Sequence, residues 1–266
     1  MRIFLCTVLL LSLAVGLSAQ EIDFQNFTGK LDKRGNPQNN EGWAIFSIGG
    51  KNEALQEAVW ELVSDVSSAE VGLISAEVWA SSSSATDASG GNGAQSLEVS
   101  YYDTSNALLS KTIALNGQST VSVGIVNYVL GARVKYEGSS GQVGDIYISN
   151  STVASGVPAE VGKIHAKIPA DQGATQNGLF VVPAGAKAMI KKIIICGNGA
   201  ALVGRLMSKK PGLAERAILP NIYSTLGTVV ECNVAIPLES EELVWMEAIG
   251  TAASDCSMAL FIYYKE

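Results

Sequence analysis

Short runs rich in valine, isoleucine and tyrosine recur from Trp43 to the C-terminus, separated by clusters of glycine, serine and asparagine. Gln95–Tyr102 and Thr228–Ile236 are two such runs. β-Branched and aromatic side chains favour strands, and Asn116-Gly117 between two runs is typical of a hairpin turn. The pattern therefore predicts an all-β protein made of sandwiches or barrels.

The chain of 266 residues is long enough for two β domains of ordinary size. Residues 150–158 are small and polar and end on a proline, and they separate a half rich in serine, glycine and tyrosine from a half with more lysine and methionine. We therefore predict two β-sandwich, jelly-roll-like domains in tandem, at residues 43–155 and 156–266. The polar residues 20–42 before them predict a flexible linker.

Residues 1–19 are typical of a secretory signal peptide. Arg2 precedes an apolar run that is shorter than the roughly 20 residues a membrane span needs, and Ala19 provides a small residue for cleavage. The sequence therefore predicts an exported chain with no stable membrane insertion once the leader is removed. An uncleaved anchor or a misassigned start codon is the alternative.

The segment after Asn52 shows a different periodicity. Leu55, Val59, Leu62 and Val66 recur at steps of four, three and four. This spacing predicts an amphipathic helix with Asn52 as its cap.

The charge balance limits the partners of the chain. It has 18 Lys and Arg against 25 Asp and Glu, a net charge of −7, which argues against nucleic acid as a partner because phosphate contacts need clustered cations. Charged residues make up 16%, compared with about 25% in average soluble domains. This low charge favours a homo-oligomer in which much of the surface is buried.

Motifs of common catalytic sites are missing from the sequence: there is no G-x-S-x-G elbow, P-loop, H-E-x-x-H or EF-hand pattern. His165, the single histidine, lies in an alternating run with Lys163 and Lys167 on the same face, so a solvated face is favoured over a catalytic base. We predict no enzyme activity and no catalytic, cofactor-binding or metal-binding residues.

Two groups of carboxylates are weaker candidates for chemistry. Glu239, Glu241 and Glu242 lie in one turn, which favours a solvated loop over the two facing carboxyl groups of a glycosidase. Asp87 and Asp103 are conceivable calcium ligands, but no ligand spacing supports that interpretation.

Cysteine and aromatic residues have structural as well as functional interpretations. Cys196, Cys232 and Cys256 follow the leader; their apolar surroundings favour small buried side chains, and a single disulfide is the alternative. The four tryptophans and eight tyrosines could form an exposed row that binds sugar, or serve core packing and subunit interfaces.

Several motifs resemble, in their order, a family of uncharacterised tailed-phage proteins frequent in marine phages. They are Gly50-Lys51-Asn52, a serine-rich stretch with Asp87 followed by Gly91-Asn92-Gly93-Ala94, the turn Leu115-Asn116-Gly117, and Val182-Pro183-Ala184-Gly185 before a strand. The resemblance covers about residues 48–264.

The resemblance implies a non-enzymatic virion structural protein, such as a head decoration, fibre or tail component, with two β-rich halves. Its expected partners are copies of itself, with a trimer as one form, and other virion proteins. It also implies that residues 52–66 are extended or looped rather than helical. The leader favours the alternative, a secreted, periplasmic or cell-surface β-sandwich that binds glycan or another surface ligand.

Overall fold

The structure is a computed structural model that describes residues 27–31, 37–39, 43–66, 73–198, 200–225 and 228–265. These residues form twenty β-strands and one three-residue 3₁₀ helix, Val161–Lys163, which confirms the all-β prediction. In this part of the chain no helix is long and apolar enough to cross a membrane. The predicted signal peptide lies outside the described residues.

The strands range from two to twelve residues, and many of them alternate buried with more exposed side chains. In chain order they are β1 (Phe27–Leu31), β2 (Pro37–Asn39), β3 (Ala44–Leu55), β4 (Glu61–Leu62), β5 (Ala76–Ser82), β6 (Ala94–Tyr102), β7 (Leu108–Ala114), β8 (Val121–Val126), β9 (Tyr128–Glu137), β10 (Ile146–Ser149), β11 (Val153–Ala154), β12 (Val157–Pro158), β13 (Ile164–Ile168), β14 (Leu179–Val181), β15 (Lys187–Asn198), β16 (Leu202–Lys209), β17 (Arg216–Ser224), β18 (Val229–Leu238), β19 (Leu243–Gly250) and β20 (Ser254–Lys265).

Eight of these strands form a jelly roll. One sheet has the order β3-β20-β15-β18 and the other β14-β19-β16-β17. If β3 is numbered 1 and β14 to β20 are numbered 2 to 8, the two sheets have the strand orders 1-8-3-6 and 2-7-4-5. This is the double Greek-key connectivity of a jelly roll. β1 and β2 extend the first sheet beyond β3, and β4 pairs with β19 of the second.

The second domain is inserted between the first two jelly-roll strands. It contains a sheet of order β13-β10-β5-β8 and a sheet of order β7-β6-β9. Residues of both sheets, including Val78, Leu97 and Ile146, share one buried core. Both domains are therefore β-sandwiches, which confirms the predicted fold class.

The strand pairing groups the chain differently from the predicted domains 43–155 and 156–266. β3 pairs along its length with β20 at the other end of the chain, and β13 completes the sheet of the inserted domain. The small polar residues 150–158 form the β11–β12 hairpin rather than a boundary. A cluster of turn-forming residues marks a hairpin as well as a linker, and sequence pattern does not distinguish them.

Two other expectations are changed by the structure. The predicted linker, residues 20–42, contains β1 and β2, which pair with each other; its remaining residues lie outside the described part. The segment after Asn52 is a strand end, a loop and β4 rather than a helix. Leu55, Leu62 and Val66 pack into three separate clusters, and Val59 is 45% exposed, so no single apolar face exists.

The jelly-roll core is filled from the inner face of each central strand. β15 buries Ala188, Ile190, Ile193 and Ile195, and a register shift between Ile190 and Lys192 keeps these apolar side chains on one face. β16 alternates strictly between buried and half-buried positions. This alternation is the period-2 pattern of a sheet with one face against the core.

A separate apolar cluster joins the two domains. Tyr102 of the inserted domain packs with Val181, Leu243 and Trp245 of the jelly roll, and each of these side chains is at most 2% exposed. This buried contact fixes how the loops of the two domains face each other.

Candidate functional site

His165 lies on β13, close to where the chain returns to the jelly roll. Its Nε2 is 3.0 Å from Oδ1 of Asn150, and its backbone carbonyl accepts a hydrogen bond from Asn177. Nδ1 is buried and has no hydrogen-bond partner among the described residues. Burial lowers the pKa of His165 to about 4, so the ring is neutral at neutral pH. His165 is half-buried, as are Lys163 and Lys167 on the same face of the strand.

The three glutamates after β18 have three different environments. Glu242 is only 1% exposed; it accepts a hydrogen bond from the Glu239 N–H at 2.9 Å and lies 3.5 Å from the Arg216 guanidinium. Glu239 pairs with Lys210, and Glu241 points toward the inserted domain. The expectation of a uniformly solvated loop is therefore wrong for Glu242, whose carboxylate holds the turn together.

Asp87 is the centre of a buried loop hub in the inserted domain. Its Oδ2 accepts hydrogen bonds from Ser82 Oγ (2.6 Å) and Gly144 N (2.8 Å), and its Oδ1 accepts them from Ala94 N (2.8 Å) and Val143 N (3.1 Å). The hub leaves no room near Gly93, because a Cβ there would lie 2.2 Å from Oδ1 of Asp87. The motif around Asp87 and Gly93 is therefore structural.

Asp87 and Asp103 do not form a common calcium site. Asp87 bonds to the first residue of β6 and Asp103 follows the last, so the nine-residue strand holds them roughly 30 Å apart. Asp103 instead accepts backbone hydrogen bonds from Ser105 and Ala107 within its own turn. Among the described residues, no group of three or more His, Cys, Asp or Glu side chains could hold a metal ion.

The aromatic residues do not form one exposed row in the described part of the chain. Trp245, Tyr102 and Tyr264 are buried, whereas the strongly exposed Tyr136 and Tyr223 lie on different domains. All three described cysteines are free thiols in the jelly roll; Cys256 is buried, as the packing interpretation predicts, whereas Cys196 and Cys232 are only half-buried.

A cleft of about 340 Å³ lies between the two domains. Asn106 and Tyr128 of the inserted domain line one wall, and Lys210, Glu241 and Leu243 of the jelly roll line the other. Sequence reasoning recognised Glu241 only as part of an acidic turn and did not identify the cleft. No local pattern could have done so, because the two walls come from segments that lie more than eighty residues apart in the chain.

A chain of hydrogen bonds connects the domains beside this interdomain cleft. Ser75 Oγ donates to Asn127 Oδ1 at 2.9 Å, Asn127 Nδ2 donates to Asn106 Oδ1 at 2.8 Å, and Asn106 Nδ2 donates to Glu241 Oε1. Burial, together with the charge of Glu241, raises the pKa of Tyr128. The Tyr128 phenol therefore stays protonated at neutral pH and can donate a hydrogen bond into the cleft.

The second candidate site is the open side of the jelly roll, formed by β17 and β18. Each strand pairs on one side only within the described sheets. The inner row of β18, from Val230 to Ile236, stays only partly buried although it packs against the core, whereas the inner row of β15 is fully buried. Tyr223 and Val229 on this side are 67% and 61% exposed.

The open side is almost free of charge. β17 and β18 together carry one cation, Arg216, and one anion, Glu231. Exposed edge strands are usually protected by charged residues, prolines or bulges. Here Pro220 and Pro237 interrupt the edges, so the apolar side chains are more available for contact than the backbone is.

No family model matches the chain, and no curated protein matches it. Among solved structures, the chain is similar to a mutant VP2 protein of infectious bursal disease virus in derived T=1 particles, with 10% identity, a TM-score of 0.25, and 85% of this chain and 70% of that chain covered. The structure of the T13 particle of this virus has 9% identity and a TM-score of 0.21, and the match covers 84% of this chain and 73% of that chain. The structure of the Gt strain of this virus has 10% identity and a TM-score of 0.21, and the match covers 84% of this chain and 75% of that chain. TM-scores of this size do not establish a shared fold.

Proposed function

We propose that this chain is a non-enzymatic structural protein of a phage virion, a head decoration, fibre or tail component that acts by self-assembly. The open side of the jelly roll carries this proposal. Jelly rolls serve as capsid proteins, lectins and cupins, so the fold alone does not select a function. The order of the sequence motifs between Gly50 and Gly185 is the reason for preferring a tailed-phage particle.

The partner of the open side is a second copy of the chain. The open side exposes Tyr223 and Val229 strongly and leaves the inner row of β18 (Val230, Cys232, Val234 and Ile236) partly exposed. Covering these side chains removes apolar surface from water at about 25 cal/mol per Å². With Arg216 and Glu231 as its two charges, the side buries few ions on contact, which keeps the desolvation cost low.

The decisive experiment measures mass in solution by light scattering on the full chain and on two variants. Tyr223→Asp combined with Val229→Asp places two carboxylates on the open side and should convert the oligomer to a monomer. Ile125→Asp, on β8 of the inserted domain and also strongly exposed at 59%, is the matched control and should leave the oligomer intact. A monomeric wild-type chain, or an oligomer that the double variant does not alter, would refute self-assembly through this side.

The location in a particle needs its own test. Mass spectrometry of purified virions should detect peptides from both domains, in a copy number that is a multiple of the oligomer found in solution. If the chain occurs only in the medium or at the cell surface and in no virion fraction, the secreted alternative replaces this proposal.

A further inference from the structure

We propose that the interdomain cleft binds a neutral saccharide. This inference goes beyond self-assembly and does not depend on the open side of the jelly roll. The interdomain cleft has a volume of about 340 Å³, which is at the small end of the range for ligand sites. Such sites often lie between domains. The walls combine an apolar surface with convergent polar groups, and a sugar presents both kinds of surface, C–H faces and hydroxyls.

The aromatic wall is held in a fixed orientation. The Tyr128 ring meets the Tyr102 ring edge to face, with centroids 6.4 Å apart and an angle of 87°. Tyr102 is itself fully buried, so it holds the partly exposed Tyr128 ring in place. Leu243 adds a buried aliphatic side chain to the same cleft, and Leu73 is 61% exposed at its margin. A sugar C–H face can pack on such a wall without ordering a flexible side chain first.

The polar groups leave hydrogen-bonding capacity for a ligand. Glu241 uses Oε1 for Asn106, and among the described residues its Oε2 has no hydrogen-bond partner. The same holds for the Tyr128 hydroxyl. A carboxylate oxygen accepts and a phenol can both donate and accept, which matches the hydroxyls of a sugar.

The backbone supports this arrangement at some cost. Asn106 and Glu241, the two residues whose side chains meet across the cleft, both have left-handed backbone conformations, with φ of 56° and 62°. Asparagine tolerates this region, whereas for glutamate it is uncommon. Non-glycine residues held in this region are concentrated at binding and active sites, which is consistent with a cleft that the fold keeps preorganised.

The charges around the cleft favour a neutral ligand over an anionic one. Lys210 is paired with Glu239, and the neighbouring Lys209 with Glu215. Both lysines line the cleft and are each neutralised by a carboxylate outside its lining, whereas Glu241, the anion of the lining, has no cationic partner in the described residues. A phosphate or sulfate would be repelled by that charge, and a neutral polyol would not.

The test is binding of the full chain to a panel of immobilised neutral mono- to tetrasaccharides of hexoses and N-acetylhexosamines, with each hit titrated by calorimetry. Tyr128→Ala should weaken the best hit at least tenfold, and Glu241→Gln at least threefold. Tyr136→Ala is the matched control, because Tyr136 lies on the same strand, is 63% exposed and does not line the cleft; it should change the affinity less than twofold. A sulfated form of the best hit should bind at least fivefold more weakly than the neutral sugar.

Three results would overturn the inference: no binding anywhere on the panel, hits that Glu241→Gln and Tyr128→Ala both leave unchanged, or stronger binding of the sulfated form. If Tyr128→Ala does not fold, as shown by its circular dichroism spectrum, Glu241→Gln and Tyr128→Phe decide in its place. Tyr128→Phe keeps the ring and removes the hydroxyl, so it should weaken binding severalfold.

Discussion

The hydroxyl of Tyr102 in the inserted domain donates a hydrogen bond of 2.6 Å to the backbone carbonyl of Val181 in the jelly roll. Both residues are buried, at 0% and 1% exposed. Val181 lies on β14, the strand with which the chain re-enters the jelly roll. One side chain thus ties the end of β6 to the second strand of the other domain.

Removal of this hydrogen bond should loosen the domain contact. We expect Tyr102→Phe to reduce the free energy of unfolding by about 1–3 kcal/mol, because the Val181 carbonyl is left buried without that donor. Chemical denaturation measures the loss, and amide hydrogen exchange should show faster opening in β14 than in β15. Tyr136→Phe, which removes an exposed hydroxyl, should change neither quantity.

The Asp87 hub gives a second stability prediction. Asp87→Asn replaces one accepting oxygen by an NH₂ group that faces N–H or O–H donors, so we expect a loss of about 2–4 kcal/mol in the free energy of unfolding. Asp103→Asn is the control, since Asp103 uses Oδ1 for two hydrogen bonds in an exposed turn, and should cost about 1 kcal/mol or less. Equal losses for the two variants in urea denaturation would contradict the hub.

Gly50 lies where the jelly-roll strand β3 passes the chain that leaves for the inserted domain. A Cβ on Gly50 would lie 1.9 Å from the Val63 carbonyl oxygen, whereas a Cβ on Gly49 would meet nothing closer than 3.8 Å. We therefore expect Gly50→Ala to cost about 1–3 kcal/mol through overpacking. Gly49→Ala should be close to neutral. The thermal midpoints of the two variants give the comparison, and a harmless Gly50→Ala would show that the backbones do not approach this closely.

His165 makes stability depend on pH. Its pKa in the folded chain is lowered to about 4 by burial, whereas the unfolded chain takes up the proton near the ordinary value of about 6.5. Between these two pH values the unfolded state binds more protons than the folded state. The free energy of unfolding therefore has its full value, as far as His165 is concerned, above about pH 6.5, and it falls as the pH drops toward 4. The expected loss from this residue is about 2–3 kcal/mol.

The comparison for that prediction is His165→Gln, which keeps a side-chain donor for Asn150 and removes the titration. Urea denaturation between pH 4 and 7 should show a flatter dependence for the variant than for the wild-type chain. Carboxylates titrate in both proteins, so the difference between the two curves isolates the histidine. Parallel curves would mean that His165 is protonated in the folded chain as easily as in the unfolded one.

Local pattern was a good guide to the strands because a sheet has a period of two residues. The alternation around His165 predicts β13, and the alternating run ending at Ile236 predicts β18. Asn116-Gly117 forms a tight turn in which Gly117 has a φ of 58°, although the flanking strands β7 and β8 lie in different sheets and do not form the predicted hairpin. These predictions succeed because side-chain size and backbone preference act within a few residues.

Local pattern failed where distant contacts decide the outcome. The helical spacing of Leu55, Leu62 and Val66 predicted a shared face, but the three side chains are drawn into different clusters. The sequence predicted a solvated turn for Glu242, but its carboxylate is buried. There it lies beside the Arg216 guanidinium and accepts a hydrogen bond from the Glu239 N–H of its own loop. In each case tertiary packing overrides a weaker local preference.

The sequence by itself therefore determined the β character of this protein, its turns and its low charge. Only the tertiary structure decided that β3 belongs with β20, some two hundred residues later, that one sandwich is inserted into the other, and that Tyr128 and Glu241 face each other across a cleft. Strand pairing depends on hydrogen bonds and buried surface between segments far apart in the chain, and a pattern that extends over ten residues carries no information about which segment the partner will be.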